Sequence, residues 1–198
     1  MKKIRFDDCI CHDKIRDHDK IKEEILWHID KSSDGPLIDT YGVPEAKSNI
    51  TKLDWDKSTD FKRPWVQIFL PVFEKTLEGI IDSMGYKSVD ITRCWYQQYL
   101  NGSSHCWHIH DQHFTGVYYL EYPKGSAKTE VISPYSMKIK KINAKEGDLI
   151  VFPSHWIHRS GVNSSFRKTI ISYNFGLNPN SYSYSADHIK GGKPYILF

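Results

Sequence analysis

Apolar residues recur every four positions in DKIKEEILWHID, residues 19–30, where Ile21, Ile25 and Ile29 share a face with Trp27 and His28 to one side. That period predicts an amphipathic helix. Residues 31–62 follow with much Ser, Asp, Gly, Pro and Thr and no clean period. So long an irregular stretch predicts a working surface loop or an insertion. A second helix is predicted from Pro64, since proline suits a first helical turn. Its apolar face runs through Val66, Phe69, Phe73, Leu77, Ile80, Ile81 and Met84. Pro71 should kink or offset it, and Gly85 should stop it.

From residue 88 the period changes to two. Strands are predicted at 89–99, 105–110, 115–122, 128–133, 137–142, 148–152 and 168–175, punctuated by NGSS, YPKGS, SPYS and KEGD. His158 is expected in a loop that leads to the last of them. Many short strands with frequent turns predict a sandwich or barrel, with the two helices on one outer face. The polar tail from 177 ends in the apolar YILF and is expected to act as an arm.

Length and composition narrow the class. The 198 residues suit a single domain: a helical support and loop at 1–87, a β core at 88–176 and a tail at 177–198. A hydrophobic content of 39% against 26% charged residues is a globular balance. A net charge of +3, with both signs interleaved in DHDKIKEE, argues against a nucleic-acid partner. No apolar run is long enough for a membrane span, and MKKIRFDD lacks the apolar core of a secretory signal, so a cytoplasmic location is expected. Cys9, Cys11, Cys94 and Cys106 have neither zinc-ribbon nor redox-pair spacing and are expected to be free thiols. Nothing in the pattern speaks to oligomeric state.

The chemistry concentrates in HCWHIHDQHFTGVYYL, residues 105–120, with four histidines in nine positions. On a strand His108 and His110 project to one face about 7 Å apart, a spacing that can close on one metal ion. Strand histidine pairs also arise without any ligand role. Fifty residues on, GDLIVFPS at 147–154 is followed by His158 and then by Arg167 beside an apolar strand. Neutral imidazoles suit iron, and a guanidinium in a strand-lined cavity wants a carboxylate.

In this order and spacing, residues 93–175 resemble the prolyl-hydroxylase-like branch of the iron(II)- and 2-oxoglutarate-dependent dioxygenases, including those common in phage genomes. The resemblance rests on His108, VYYL at 117–120, GDLIVFPS, His158 and Arg167, and covers about 40% of the chain. It implies a mainly β fold, the double-stranded β-helix or jelly roll, with N-terminal helices packed on one sheet. It implies Fe(II), 2-oxoglutarate and O2 as cofactor and cosubstrates, and hydroxylation of a prolyl or other amino-acid side chain, in a peptide or protein, or of a small molecule. His108 and His158 would hold iron, and Arg167 would grip the far carboxylate of 2-oxoglutarate, assisted by Tyr119 and Tyr99. The substrate lip would come from 31–62 and 101–106.

The chain departs from the family pattern at one position. A carboxylate is expected two residues after the first histidine, and His110 stands there. Three accounts remain open: three imidazoles hold the metal, Asp111 swings in to supply the carboxylate, or the centre is degraded. A histidine fills the space that halogenating relatives leave for chloride, which argues against halogenation. His105, His113 and His155 are expected as cavity-wall or surface residues, and Trp107 and Trp156 as pocket walls. Rival functions are a cupin-like three-histidine metal protein without 2-oxoglutarate, whether dioxygenase or hydrolase, and a non-catalytic jelly-roll binding module.

Overall fold

The computed structural model describes residues 10–38, 47–164 and 166–177. Helix α1 (His18–Lys31) buries the expected isoleucines together with Leu26 and leaves Trp27 exposed. Helix α2 (Pro64–Ser83) starts on its proline and runs through Pro71 as one element. Gly85 follows at a φ of 85°, a left-handed conformation that glycine adopts without a Cβ penalty, and its N–H donates to Asp82 O at 2.9 Å.

The strands are β1 (Cys11–Lys14), β2 (Leu37–Ile38), β3 (Asn49–Ile50), β4 (Lys52–Leu53), β5 (Val89–Tyr99), β6 (His105–His108), β7 (Phe114–Glu121), β8 (Thr129–Ile132), β9 (Ile139–Lys141), β10 (Asp148–Pro153), β11 (Ile157–Ser160) and β12 (Lys168–Leu177). A 3-10 turn at Trp55–Lys57 follows β4. They form a six-stranded sheet ordered β1-β10-β7-β12-β5-β4, a four-stranded sheet ordered β6-β11-β8-β9, and the pair β2-β3. All the pairings are antiparallel. This is the jelly roll expected from the sequence.

Strict alternation in the large sheet builds two cores. Tyr118, Leu120, Leu149, Val151, Ile171, Tyr173 and Phe175 face outward and pack with the apolar faces of α1 and α2. Val117, Tyr119, Ile150, Phe152 and Ile170 face inward and pack with Val131 and Trp156. Neighbours in sequence thus serve opposite layers, as the two-residue period of a strand requires. Gly116 makes one close approach possible: a Cβ there would stand 2.2 Å from Tyr173 Oη and 2.3 Å from Ile150 O.

Three expectations change. His158 lies in a strand, β11, paired with β6 on one side and β8 on the other. The described residues of 31–62 hold three short strands and the 3-10 turn, and β1 adds an unforeseen edge strand. The predicted strand at 105–110 ends at His108. Cys94, buried, and Cys106, partly buried, are free thiols, and Cys11 is partly buried on β1. Cys9, residues 39–46 of the proposed lip and the tail beyond 177 lie outside the described residues. No helix among the described residues is long and apolar enough to cross a membrane.

Candidate metal centre

His108 ends β6 and His158 is its cross-strand partner on β11, so the sheet register sets the two side by side, with ring centroids 4.2 Å apart. Each ring is oriented the same way. Nδ1 of His108 lies 2.8 Å from Cys106 O, and Nδ1 of His158 lies 2.8 Å from Trp156 O. A proton on Nδ1 donated to a carbonyl fixes the tautomer and leaves Nε2 with an open lone pair.

His110 lies just past β6, and its backbone N–H donates to Ser154 O at 3.0 Å. Its ring stands 5.0 Å from each of the other two and is flanked by Trp95 at 5.6 Å and Trp55 at 6.4 Å. The ligand nitrogens of His108, His110 and His158 lie within 4.8 Å of one another. Asp111 is exposed and stands outside this cluster.

Burial sets the protonation states. It holds His158 and His105 well below the ordinary imidazole range and lowers His108. Burial, then the neighbouring His108, brings His110 down to about 3. Three neutral imidazoles with two Nε2 atoms free of the backbone are a borderline donor set that suits a first-row divalent ion, iron included. Without a carboxylate, the ion's full double charge would remain to attract anionic ligands.

A narrow recess adjoins the centre, lined by His108, His110 and His158 and also by Tyr99, Thr129 and Ser160. Tyr119 is fully buried and donates its hydroxyl to Thr129 Oγ1 at 2.8 Å. Tyr99 donates to Gln97 Oε1 at 2.6 Å.

Arg167 does not turn into this recess. Its guanidinium forms a two-pronged pair with Glu121, at 2.7 and 3.1 Å, and reaches both oxygens of Asp30 on α1, at 2.9 and 3.0 Å. The arginine expected to hold a cosubstrate carboxylate therefore clamps the helix-bearing face of the large sheet.

The buried cation is its neighbour. Lys168, 0% exposed, donates to Ser160 Oγ at 2.7 Å and to Ala127 O at 2.9 Å, and its ammonium sits 4.6 Å from the Tyr99 ring centre. Desolvation pulls it down to about 7. Sequence reasoning passed over Lys168, although alternation could have found it. Ile171, Tyr173 and Phe175 belong to the helix-facing core, so Lys168, Ile170 and Ser172 must share the opposite, inward face.

The other aromatic and imidazole residues divide. His105 stacks on His108 at 3.9 Å and lines the recess. His155 and His113 are exposed, and His113 Nδ1 accepts the N–H of Leu177 at 3.0 Å. Trp107 lies under the Arg159 guanidinium at 4.4 Å, while Trp156 fills the core between the sheets.

No protein-family model and no curated protein sequence matches the chain. Its fold matches solved structures closely. A 2OG-Fe(II) oxygenase family oxidoreductase from Burkholderia pseudomallei aligns at a TM-score of 0.63 and 16% identity, over 81% of this chain and 82% of that one. A Pseudomonas putida prolyl-4-hydroxylase aligns at 0.61 and 13% identity, over 84% and 92%. A Trichoplax adhaerens prolyl hydroxylase, in complex with a hypoxia inducible factor oxygen degradation domain peptide fragment, aligns at 0.58 and 16% identity, over 84% and 83%. The jelly roll with its outer helices is thus shared with these oxygenases.

Proposed function

We propose that this protein is an iron(II)- and 2-oxoglutarate-dependent dioxygenase that hydroxylates a prolyl or other amino-acid side chain or a small molecule. One observation carries the reading: three converging imidazole donors line a recess whose wall also includes Tyr99 and Ser160, and behind those two stands a buried lysine with no carboxylate partner among the described residues, in a fold shared with such oxygenases. The Trichoplax neighbour's peptide complex supports a peptide substrate.

His108, His110 and His158 would hold the iron. Iron bound there would supply oxygen activation coupled to oxidative loss of CO2 from 2-oxoglutarate. The protein's residues would bind and orient. A dianion approaching the centre meets three neutral imidazoles, and its far carboxylate meets the Lys168 ammonium. Desolvation makes that unpaired ammonium costly, and a carboxylate would offset the cost. The Tyr119–Thr129 hydroxyl pair and Tyr99 would supply hydrogen bonds around the same carboxylate.

The recess holds only about 20 Å³, close to the room for a single water. Cosubstrate entry would therefore require the recess to widen toward Lys168.

The test is reconstitution of the full chain with ferrous iron, followed by assay of 2-oxoglutarate-dependent succinate formation without added substrate. Slow turnover abolished by His158→Ala and by Lys168→Ala is the expected result. Metal binding indifferent to 2-oxoglutarate would instead mark a three-histidine metal protein of another kind.

A further inference from the structure

The smaller sheet ends at an uncovered edge. Its last strand, β9, pairs with β8 on one side and, among the described residues, with no strand on the other. The ladder decides which groups line that edge. Ile142 N–H donates to Thr129 O at 2.8 Å, so Lys140 is directed toward β8 in the same way, and Ile139 and Lys141 turn their N–H and C=O groups outward. Such a row is a template for one more strand.

The same stretch carries apolar surface and charge. On the outer face of this sheet Ile157, Ile132 and Ile139 stand in register across β11, β8 and β9, and Ile157 and Ile139 are exposed. Just before β9, Ser133 Oγ accepts the N–H groups of Tyr135 and Ser136, at 3.2 and 3.3 Å, and Ser133 O accepts that of Met137 at 2.8 Å. That turn holds Tyr135 and Met137 61% and 70% exposed. Large apolar groups scattered singly are ordinary on a surface, but several along one edge strand, its turn and its sheet face are a patch. Residues 124–145 also hold six lysines against one glutamate, a larger positive excess than the +3 of the whole chain. Glu130 is already taken by Arg159 and Lys141, at 2.7 and 3.2 Å. Lys138 and Lys140 are exposed, with no ion pair among the described residues.

These features select the occupant. A second copy of the chain would bring the same lysines and be repelled. The chain's own end, HIKGGKPYILF, carries two lysines and no acidic side chain. An anionic lipid surface would satisfy the charge and the apolar groups but leave the edge N–H and C=O groups without partners. We propose that an acidic, extended segment of another protein docks on β9 as an added strand. Its backbone pairs with Ile139 and Lys141, its carboxylates face Lys138 and Lys140, and its apolar side chains extend the Ile157–Ile132–Ile139 row. Acidic and apolar residues must then alternate in it, because Lys138 and Lys140 lie on the opposite face of β9 from Ile139. The surface lies on the face of β11 opposite His158, so it stands independently of the oxygenase reading.

The test titrates the full chain at low salt into labelled, capped peptides and follows fluorescence anisotropy. One peptide alternates glutamate with valine, a second lysine with valine, and a third glutamate with proline, which keeps the charge and forbids the strand. The glutamate–valine peptide is expected to bind about tenfold or more tighter than either of the others. Its binding should slow hydrogen exchange at the amides of Ile139 and Lys141. The double change Lys138→Glu with Lys140→Glu, at two exposed positions, should lower that affinity about tenfold and favour the lysine–valine peptide. No binding, equal binding of the three peptides, or binding without slowed exchange at those two amides would overturn the proposal. Cosedimentation with phosphatidylserine vesicles in place of peptide binding would overturn it as well and make the face a lipid-docking one.

Discussion

His108 and His158 are each tethered to the carbonyl two residues earlier, whereas His110 is placed by its own backbone hydrogen bond and by two indoles. The three nitrogens still converge, and the exposed Asp111 is not among them. His110→Ala should therefore weaken zinc or ferrous binding by about 100-fold or more, and Asp111→Ala should leave it within about twofold, measured by competition with a chromophoric chelator. Lys168 carries a second expectation. Its pKa in the free protein is drawn down to about 7 by burial, so the ammonium that a carboxylate needs is lost as pH rises beyond that point. The apparent affinity for 2-oxoglutarate should fall by up to about tenfold per pH unit above 7, until the pKa of the bound state is passed. Lys168→Arg should flatten that profile, because a guanidinium stays charged. Arg167→Ala should leave cosubstrate affinity unchanged and loosen only the Glu121–Asp30 clamp. The sequence could not separate these neighbours by charge or distance from His158. Only the face each takes at the start of β12, Arg167 just before it and Lys168 its first residue, does so, and that required knowing which apolar neighbours face the helices.

Among the elements, α1, α2 and the long strands were legible because each pairs one continuous apolar face with a distinct partner layer. Strand β11 was not, for a physical reason. In Ile157–Ser160 the inward positions are His158 and Ser160 and the outward ones include Ile157, so the usual polarity is inverted. The interior is polar at the site, and a strand that serves it breaks the alternation by which strands are recognised. Strands β1 to β4 are too short for any period to show. Asp54 gives these short pieces their anchor. It accepts from the Arg63 guanidinium, from Trp65 Nε1 at 3.0 Å and from the Tyr96 N–H at 2.8 Å, joining the β4 end to α2 and β5. Asp54→Ala should cost about 3–5 kcal/mol in denaturant unfolding, because it strands a buried guanidinium. Burial raises Asp54 from 3.8 to about 6, with Arg63 opposing. Between those values the folded protein holds a proton that the unfolded chain has released, so this group's contribution to stability falls as pH rises from about 4 to about 6 and is level above. Gly116→Ala should be at least as damaging as Asp54→Ala, since its Cβ meets a backbone carbonyl and a buried tyrosine with nowhere to move.

At the scale of the whole molecule, the layer that carries stability and the layer that carries chemistry are separate. The larger core lies between the helices and the six-stranded sheet, and the histidine cluster lies on the opposite face, between the sheets. Loss of a ligand should therefore spare the fold. A metal ion that binds the folded chain alone should, at 100 times its dissociation constant, stabilise it by about 2.7 kcal/mol. For a chain of this length that corresponds to a rise of roughly 5–10 °C in Tm. His158→Ala should melt near the metal-free wild type in scanning fluorimetry and show no shift on adding zinc. 2-Oxoglutarate should add its own increment only when metal is present and Lys168 is intact, because its two ends need both. An equal 2-oxoglutarate shift in the metal-free protein or in Lys168→Ala would mean that the dianion binds elsewhere and that the recess is not its site. The order of addition should not matter to the final Tm, since binding free energies couple reciprocally. That equality is a check on the linkage which needs no turnover.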